Sequence, residues 1–178
     1  MKLVALFGPQ QAGKSEAAKA IATLPGWHRL SFAQPLYDMM SALLGTDARK
    51  LDKTVVYDAL CGKTLREGLQ LLGTEFGRNM IGDTIWLRAM ERALHHHKIF
   101  EAAGVVIDDL RFANEYEFLR QRGATIIRIE RAGCIIPTLN QGHASEADWM
   151  DFQHDHKIIN DKSILSLADV ACDIAQTP

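Results

Sequence analysis

Cysteine is scarce in this 178-residue sequence: Cys61, Cys134 and Cys172 are odd in number and widely spaced. That argues against a disulfide framework, and no Cys-x-x-Cys pair offers metal spacing, so reduced cytosolic thiols are expected. Long apolar runs are also missing. No stretch approaches the length of a membrane-spanning helix, and the N-terminus lacks the charged-then-apolar order of a signal peptide. The expectation is a cytoplasmic protein with no membrane partner. There is little excess of either charge: the formal net charge is −2, and the basic residues form no runs. A chain without a basic field has no general grip on a nucleic-acid backbone, so any nucleic-acid chemistry would be at the level of monomers. His95, His96 and His97 are consecutive, and neighbouring helical residues point in different directions, so they read as a helix end rather than a metal site.

What is present is an α/β alternation with the composition of an ordinary globular protein, 47% hydrophobic and 24% charged. Lys2–Phe7 reads as a buried strand, 15–24 as a helix, and 28–32 as a short strand. A proline-opened helix follows at 35–44, closed by Gly45. Residues 46–63 have no clear period. Residues 64–78 form a helix whose core stripe would be Leu65, Leu69, Leu72 and Phe76, with Arg66, Gln70 and Gly73 alongside. A helix at 83–96, a strand at 104–107, a helix at 114–122 and a strand at 124–129 come next. Residues 131–145 look like a mobile loop, before a strand at 157–159 and a helix at 164–175.

The strongest motif is Gly8-Pro9-Gln10-Gln11-Ala12-Gly13-Lys14-Ser15. It matches G-x-x-x-x-G-K-[ST], the Walker A pattern, with a strand before it and a helix after it. Such a loop turns successive N–H groups toward phosphate, and the helix N-terminus adds positive charge. Gly8, Gln11, Ala12, Gly13, Lys14, Ser15 and Glu16 are the expected ATP-binding set. Lys14 supplies a full charge near the transferred group, and the Ser15 hydroxyl suits Mg²⁺. A second signal is Val105-Val106-Ile107-Asp108-Asp109-Leu110-Arg111. Two carboxylates stand where a buried parallel strand ends, the edge that faces the ligand crevice in open α/β sheets. One can order the metal shell with Ser15, and the other can meet the acceptor. Asp108 is taken for the metal and Asp109 for the catalytic role, with the reverse left open. Arg111 is placed to neutralise phosphate charge or to pair with an aspartate.

With these motifs the chain resembles the phage-type deoxynucleoside monophosphate kinases. The resembling stretches are Gly8–Ser15, Ser31-Phe32-Ala33-Gln34-Pro35-Leu36, Leu69-Gln70-Leu71-Leu72-Gly73-Thr74-Glu75 with Arg78, and Val106–Glu115. His143-Ala144-Ser145-Glu146 and Ile158-Ile159-Asn160-Asp161 complete the set in order. The resemblance implies one three-layer P-loop kinase domain over 1–178, with a parallel central sheet. It also implies a helical acceptor-binding insertion at about 33–97, a lid at about 131–145, and Mg²⁺ with ATP as donor. The closely spaced arginines of an adenylate-kinase-type lid are not evident. Arg131 lies beyond the preceding strand and is the lid candidate, whereas Arg128 lies within it.

Acceptor candidates are Ser31, Phe32, Arg66, Gln70, Thr74, Arg78 and Trp86. Arg66 and Gln70 are one helical turn apart, about 6 Å along the axis. An arginine fork suits a phosphate and a glutamine suits a base edge. Phe32 or Trp86 could stack on the base. In an unbroken helix Arg78 lies about 18 Å from Arg66. The two could serve one nucleotide if the helix broke at Gly73 or Gly77. His143 and Glu146, with Ser145 as a cap, suit either a helix start or a functional role at the loop edge. Asn160 and Asp161 could cap the last helix, and the resemblance implies a place near the donor adenine. The expected reaction is transfer of the γ-phosphoryl group of ATP to a deoxynucleoside monophosphate. Two other readings stand beside it: a P-loop kinase for a dephospho-coenzyme A or phosphomevalonate type of acceptor, and a non-kinase P-loop ATPase. A homodimer remains an option.

Overall fold

A computed structural model describes residues 1–134, 151–161 and 163–177. The chain divides into two compact units, Met1–Ser31 with Ala93–Pro178, and Phe32–Arg92. Among the described residues no helix is long and apolar enough to cross a membrane.

The first unit is built on five parallel strands in the order β2-β5-β1-β6-β7. These are β1 (Lys2–Phe7), β2 (Trp27–Leu30), β5 (Gly104–Ile107), β6 (Thr125–Glu130) and β7 (His156–Ile159). The central strands read as near-continuous apolar runs because both faces are covered, as parallel sheets require. Every residue of β5 is buried. Helices α1 (Lys14–Ile21) and α6 (Ile164–Gln176) pack together on one face, where Val4, Leu6, Ile21, Ile127, Ile129 and Leu167 share a core. Phe7 points to the opposite face and meets Phe152, which stacks on Tyr116 of α5 (Ala113–Arg120). The parallel α/β class expected from the alternation is therefore the one observed, and helix α6 is capped by Ser163 rather than by Asn160 or Asp161.

The second unit holds α2 (Gln34–Leu44), a two-strand ladder of β3 (Val56–Tyr57) with β4 (Lys63–Thr64), and α3 (Leu65–Gln70). Its core is Met40, Ala48, Leu60 and Leu65. Helix α3 starts sharply because Thr64 and Glu67 cap each other's backbone N–H. It then continues as an eleven-residue π-helix, Leu71–Ile81, before α4 (Ile85–Ile99). This changes the sequence reading. The helix does not break at Gly73 or Gly77; it widens.

A step of four residues overshoots one α turn but falls short of one π turn. The two winding errors offset, so positions 65, 69, 73 and 77 stay on the packed side, with Leu65, Gly73 and Gly77 buried. Phe76, assigned to the core by an α period, is 42% exposed. Trp86 lies against Gly77 and donates its Nε1–H to the Gly73 carbonyl at 2.8 Å. Phe32 and Trp86 are both buried, so neither presents a free face for stacking on a base, which corrects that expectation.

The histidine run also differs from a simple exposed end. His97 leans on His28 of β2, ring centroids 4.5 Å apart, and burial followed by repulsion from His28 and His96 lowers its pKa.

A methyl group at position 77 would fall on the Trp86 indole, 2.6 Å from Cε2. Overpacking of this kind costs about 1–3 kcal/mol. Gly77→Ala should therefore lower the urea midpoint despite alanine's better helix propensity; an unchanged or raised midpoint would show that the indole is free to move aside.

Candidate active site

The loop after β1 is held from several sides. Gly8 has φ 135°, and a Cβ there would run into the Ile129 carbonyl of β6. Gly13 has φ 105°, and a Cβ there would sit 2.6 Å from Asn160 Nδ2. Both positions need glycine for conformation and for space. Asn160 donates its side-chain N–H to the Ala12 carbonyl at 2.9 Å, so the segment after β7 braces the loop. Ala12 is fully buried beneath it. Gln11 is exposed with φ 63°. Glu16 is exposed in the first turn of α1 and pairs with Lys19 at 2.7 Å.

Lys14 bends back over the loop and donates to the carbonyls of Gly8 and Pro9, at 2.7 and 2.6 Å. Its pKa falls from 10.5 to about 8. Burial is the largest cause and repulsion from Arg111 adds to it, while Asp108, Cys134 and Asp109 oppose the shift. A half-buried ammonium whose hydrogen-bond partners among the described residues are neutral carbonyls is the arrangement a phosphate would improve.

The two carboxylates after β5 have separate partners. Asp108 is 5% exposed and accepts from the Ser15 hydroxyl at 2.9 Å. It also accepts from Arg29, Nε to Oδ1 at 3.1 Å and Nη2 to Oδ2 at 2.6 Å. Burial works against the Arg29 cation, but the Asp108 contacts outweigh it and its pKa is raised. Asp109 accepts from the Ser31 hydroxyl at 2.7 Å. Arg111 is exposed, and its backbone N–H and that of Phe112 are capped by the buried Glu115.

The structure thus brings Lys14, Ser15, Ser31, Asp108, Asp109 and Arg111 to one end of the parallel sheet. Arg131 is exposed just after β6. Most of the expected lid, from residue 135 on, lies outside the described residues, as do His143, Ser145 and Glu146. Arg128 forms an ion pair with Glu130 at 2.7 Å and belongs to the strand. Arg29 and the bracing role of Asn160 escaped the sequence reading. The available signal for Arg29 was a charged residue in a short strand, two positions before Ser31.

In the second unit, Arg66 and Gln70 are exposed on α3. Thr74 and Arg78 are half-buried on the π-helix, and Arg78 donates to the Asp83 carbonyl at 3.2 Å. The four-residue step that keeps 65, 69, 73 and 77 together also carries Arg66, Gln70, Thr74 and Arg78 along one neighbouring side.

A divalent cation suits this donor chemistry. Ser15 and Asp108 are hard oxygen donors, and the Ser15 hydroxyl donates its hydrogen bond to Asp108, which leaves the hydroxyl's own lone pairs for a cation. Among the described residues no group of three or more His, Cys, Asp or Glu could hold an ion alone.

A phosphate cradle at the end of a parallel sheet, with a lysine, a serine and a buried aspartate around it, defines a P-loop nucleotide-binding protein. The model of the deoxynucleotide monophosphate kinase family matches residues 48–170. The chain is 28% identical over 178 residues to a protein of Acanthamoeba polyphaga mimivirus provisionally named a deoxynucleotide monophosphate kinase. That match covers 92% of this chain and 91% of the relative. It is 41% identical over 56 residues to the deoxynucleoside-5'-monophosphate kinase of Escherichia phage T5, covering 32% of this chain and 21% of that one. Solved structures similar to it include an unliganded sugar kinase from a Janibacter species, at 12% identity, 99% coverage of each chain and a TM-score of 0.46. Another is the dephospho-CoA kinase of Campylobacter jejuni, at 13% identity, 98% and 96% coverage and a TM-score of 0.49.

The chain belongs to the deoxynucleotide monophosphate kinase family. It is an ATP-dependent kinase that passes a phosphoryl group to a deoxynucleoside monophosphate, and the other acceptor types and the non-kinase ATPase reading are set aside.

Lys14 provides a test of the cradle. Phosphate stabilises its ammonium form, so nucleotide binding should raise its pKa from about 8. Between that value and 10.5, binding must take up protons. Calorimetric titration of ATP at pH 8.5, in buffers of different ionisation enthalpy, should show uptake of part of a proton per site, absent in Lys14→Met. Proton release, or the same uptake in the variant, would count against this arrangement. For folding of the empty protein the sign is opposite: the folded state holds fewer protons than the unfolded state, so folding releases them. Stability contributed by Lys14 therefore rises as pH climbs from about 8 toward 10.5.

Proposed function

We propose that the first unit holds Mg²⁺-ATP through the Gly8–Ser15 loop and that residues 32–92 carry the recognition of the deoxynucleoside monophosphate. The observation that carries the donor side is the Ser15–Asp108 hydrogen bond beside a desolvated Lys14. Gly8, Gln11, Ala12, Gly13 and Glu16 shape the loop around the phosphates, and Lys14 leaves the Gly8 and Pro9 carbonyls to meet them. Mg²⁺, held by Ser15 with Asp108 behind it, would offset the charge of the outer phosphates.

The attacking oxygen belongs to the monophosphate, which is already anionic, so no proton need be removed. A bond forms from that oxygen to the γ-phosphorus, and the bond to the β–γ bridging oxygen breaks to release ADP. Positioning and charge neutralisation therefore carry the rate. Arg111 and Arg131 neutralise the transferred group. Asp109 and Ser31 meet the acceptor. Arg66 takes the acceptor phosphate with its fork, Gln70 reads the base edge, and Thr74 and Arg78 extend the same column. The three free thiols fit a reducing cytosol.

Two experiments test these roles. Asp109→Asn should lower kcat by about a hundredfold while leaving ATP affinity within a few-fold, since the carboxylate acts in the transition state. Unchanged turnover would make the Asp109–Ser31 pair structural. Arg66→Ala should raise KM for the monophosphate by about a hundredfold, from loss of charge-assisted bonds worth about 1.5–3 kcal/mol each. KM for ATP should barely move, and Arg66→Lys should rescue only in part. Equal losses for both substrates would place Arg66 outside the acceptor site.

A further inference from the structure

Arg29 lies on the edge strand of the sheet, and its Cα pairs in register with Val106 of β5. Asp108 is two residues further along, on the same side as Val106 by strand alternation, so the pair meets on a diagonal. The guanidinium spans both carboxylate oxygens, Oδ1 at 3.1 Å and Oδ2 at 2.6 Å, while Oδ2 also accepts from Ser15. Three donors from two elements fix the plane of a side chain that is 5% exposed.

Two consequences follow from charge. A buried carboxylate is costly without a counter-ion, and Arg29, with 37% of its side chain exposed, supplies one from the solvent side. Asp108 also acts electrostatically on Lys14. Without Arg29, that carboxylate would compete with phosphate for the Lys14 ammonium.

We propose that Arg29 is a positioning residue for phosphoryl transfer: its bidentate grip keeps Asp108 turned toward Ser15 and leaves Lys14 available to the donor phosphate. This rests on the donor-site roles of Ser15 and Asp108 given above. Arg29 touches no substrate in this scheme. It acts through Asp108.

The test compares wild type with Arg29→Ala, Arg29→Lys and Asp108→Asn, each checked by thermal unfolding and by calorimetric binding of ADP without added metal. Arg29→Ala should lose about a hundredfold in kcat, the size expected when a reacting group is misplaced. KM for the monophosphate should stay within about threefold, because acceptor binding does not involve this pair. Metal-free ADP should bind more weakly as Asp108 draws Lys14 away. Arg29→Lys keeps the charge but not the fork and should recover only part of kcat. Added guanidinium ion, at concentrations that leave the unfolding midpoint unchanged, should restore turnover to Arg29→Ala but not to Asp108→Asn.

Wild-type kcat in Arg29→Ala would overturn the proposal. So would a loss confined to the monophosphate KM, which would make Arg29 an acceptor ligand. If Arg29→Ala does not fold, Arg29→Lys decides: at least a tenfold fall in kcat with an unchanged unfolding midpoint supports the grip, and full activity removes it. An active Asp108→Asn would instead remove the donor-site reading beneath the proposal, a result distinct from any Arg29 outcome.

Discussion

A carboxylate that is almost fully buried must be given partners, and in this protein the partners of Asp108 are what join the site together. It sits just past β5, which lies between the edge strand β2 and the central β1 and is buried along its whole length. An isolated charge there would be driven to neutralise. Ser15, from the first turn of α1, and Arg29, from the edge strand, supply the donors. One side chain thus links the phosphate loop, the centre of the sheet and its edge. The strand that supplies Arg29 runs on to Ser31, which fixes Asp109 in turn.

The backbone imposes a matching constraint on the other side of the loop. Gly8 is pressed against the β6 carbonyl, and Gly13 against Asn160 and Leu167. Asn160 holds the Ala12 carbonyl, so that group does not compete for the space meant for phosphate. A cradle packed this closely has little to reorganise when a nucleotide arrives, and pre-organisation of that kind is the main resource of a phosphoryl-transfer site. The side chain placed to move is Lys14, bonded to two loop carbonyls and partly stripped of its preference for the charged form.

Much of this was legible because the relevant signals are local or periodic. The loop motif is eight consecutive residues, and the parallel strands are short apolar runs whose positions match the sheet within a residue or two. The aspartates could be placed because a strand end is visible in sequence. Arg29 was not, since its importance depends on β2 and β5 being neighbours, and pairing is a long-range property. The second unit misled the reading for a different reason. An α period puts Phe76 in the core, whereas the π winding exposes Phe76 and buries Gly73 and Gly77 under Trp86. Nothing in the residue pattern from 71 to 81 announces that change of winding. The reading of Trp86 as a base platform failed in the same way, because its partner is a backbone carbonyl thirteen residues away.

The central claim is that Ser15 and Asp108 act as one unit in turnover, and a double-mutant cycle measures this directly. Turnover would be determined for Ser15→Ala, Asp108→Asn and the double variant, at saturating ATP and monophosphate. Groups that work through a shared hydrogen bond lose their effect together, so the double variant should be about as slow as the slower single variant. Losses that multiply, with the double variant slower by the product of the two single effects, would show that the hydroxyl and the carboxylate act independently and would contradict the account.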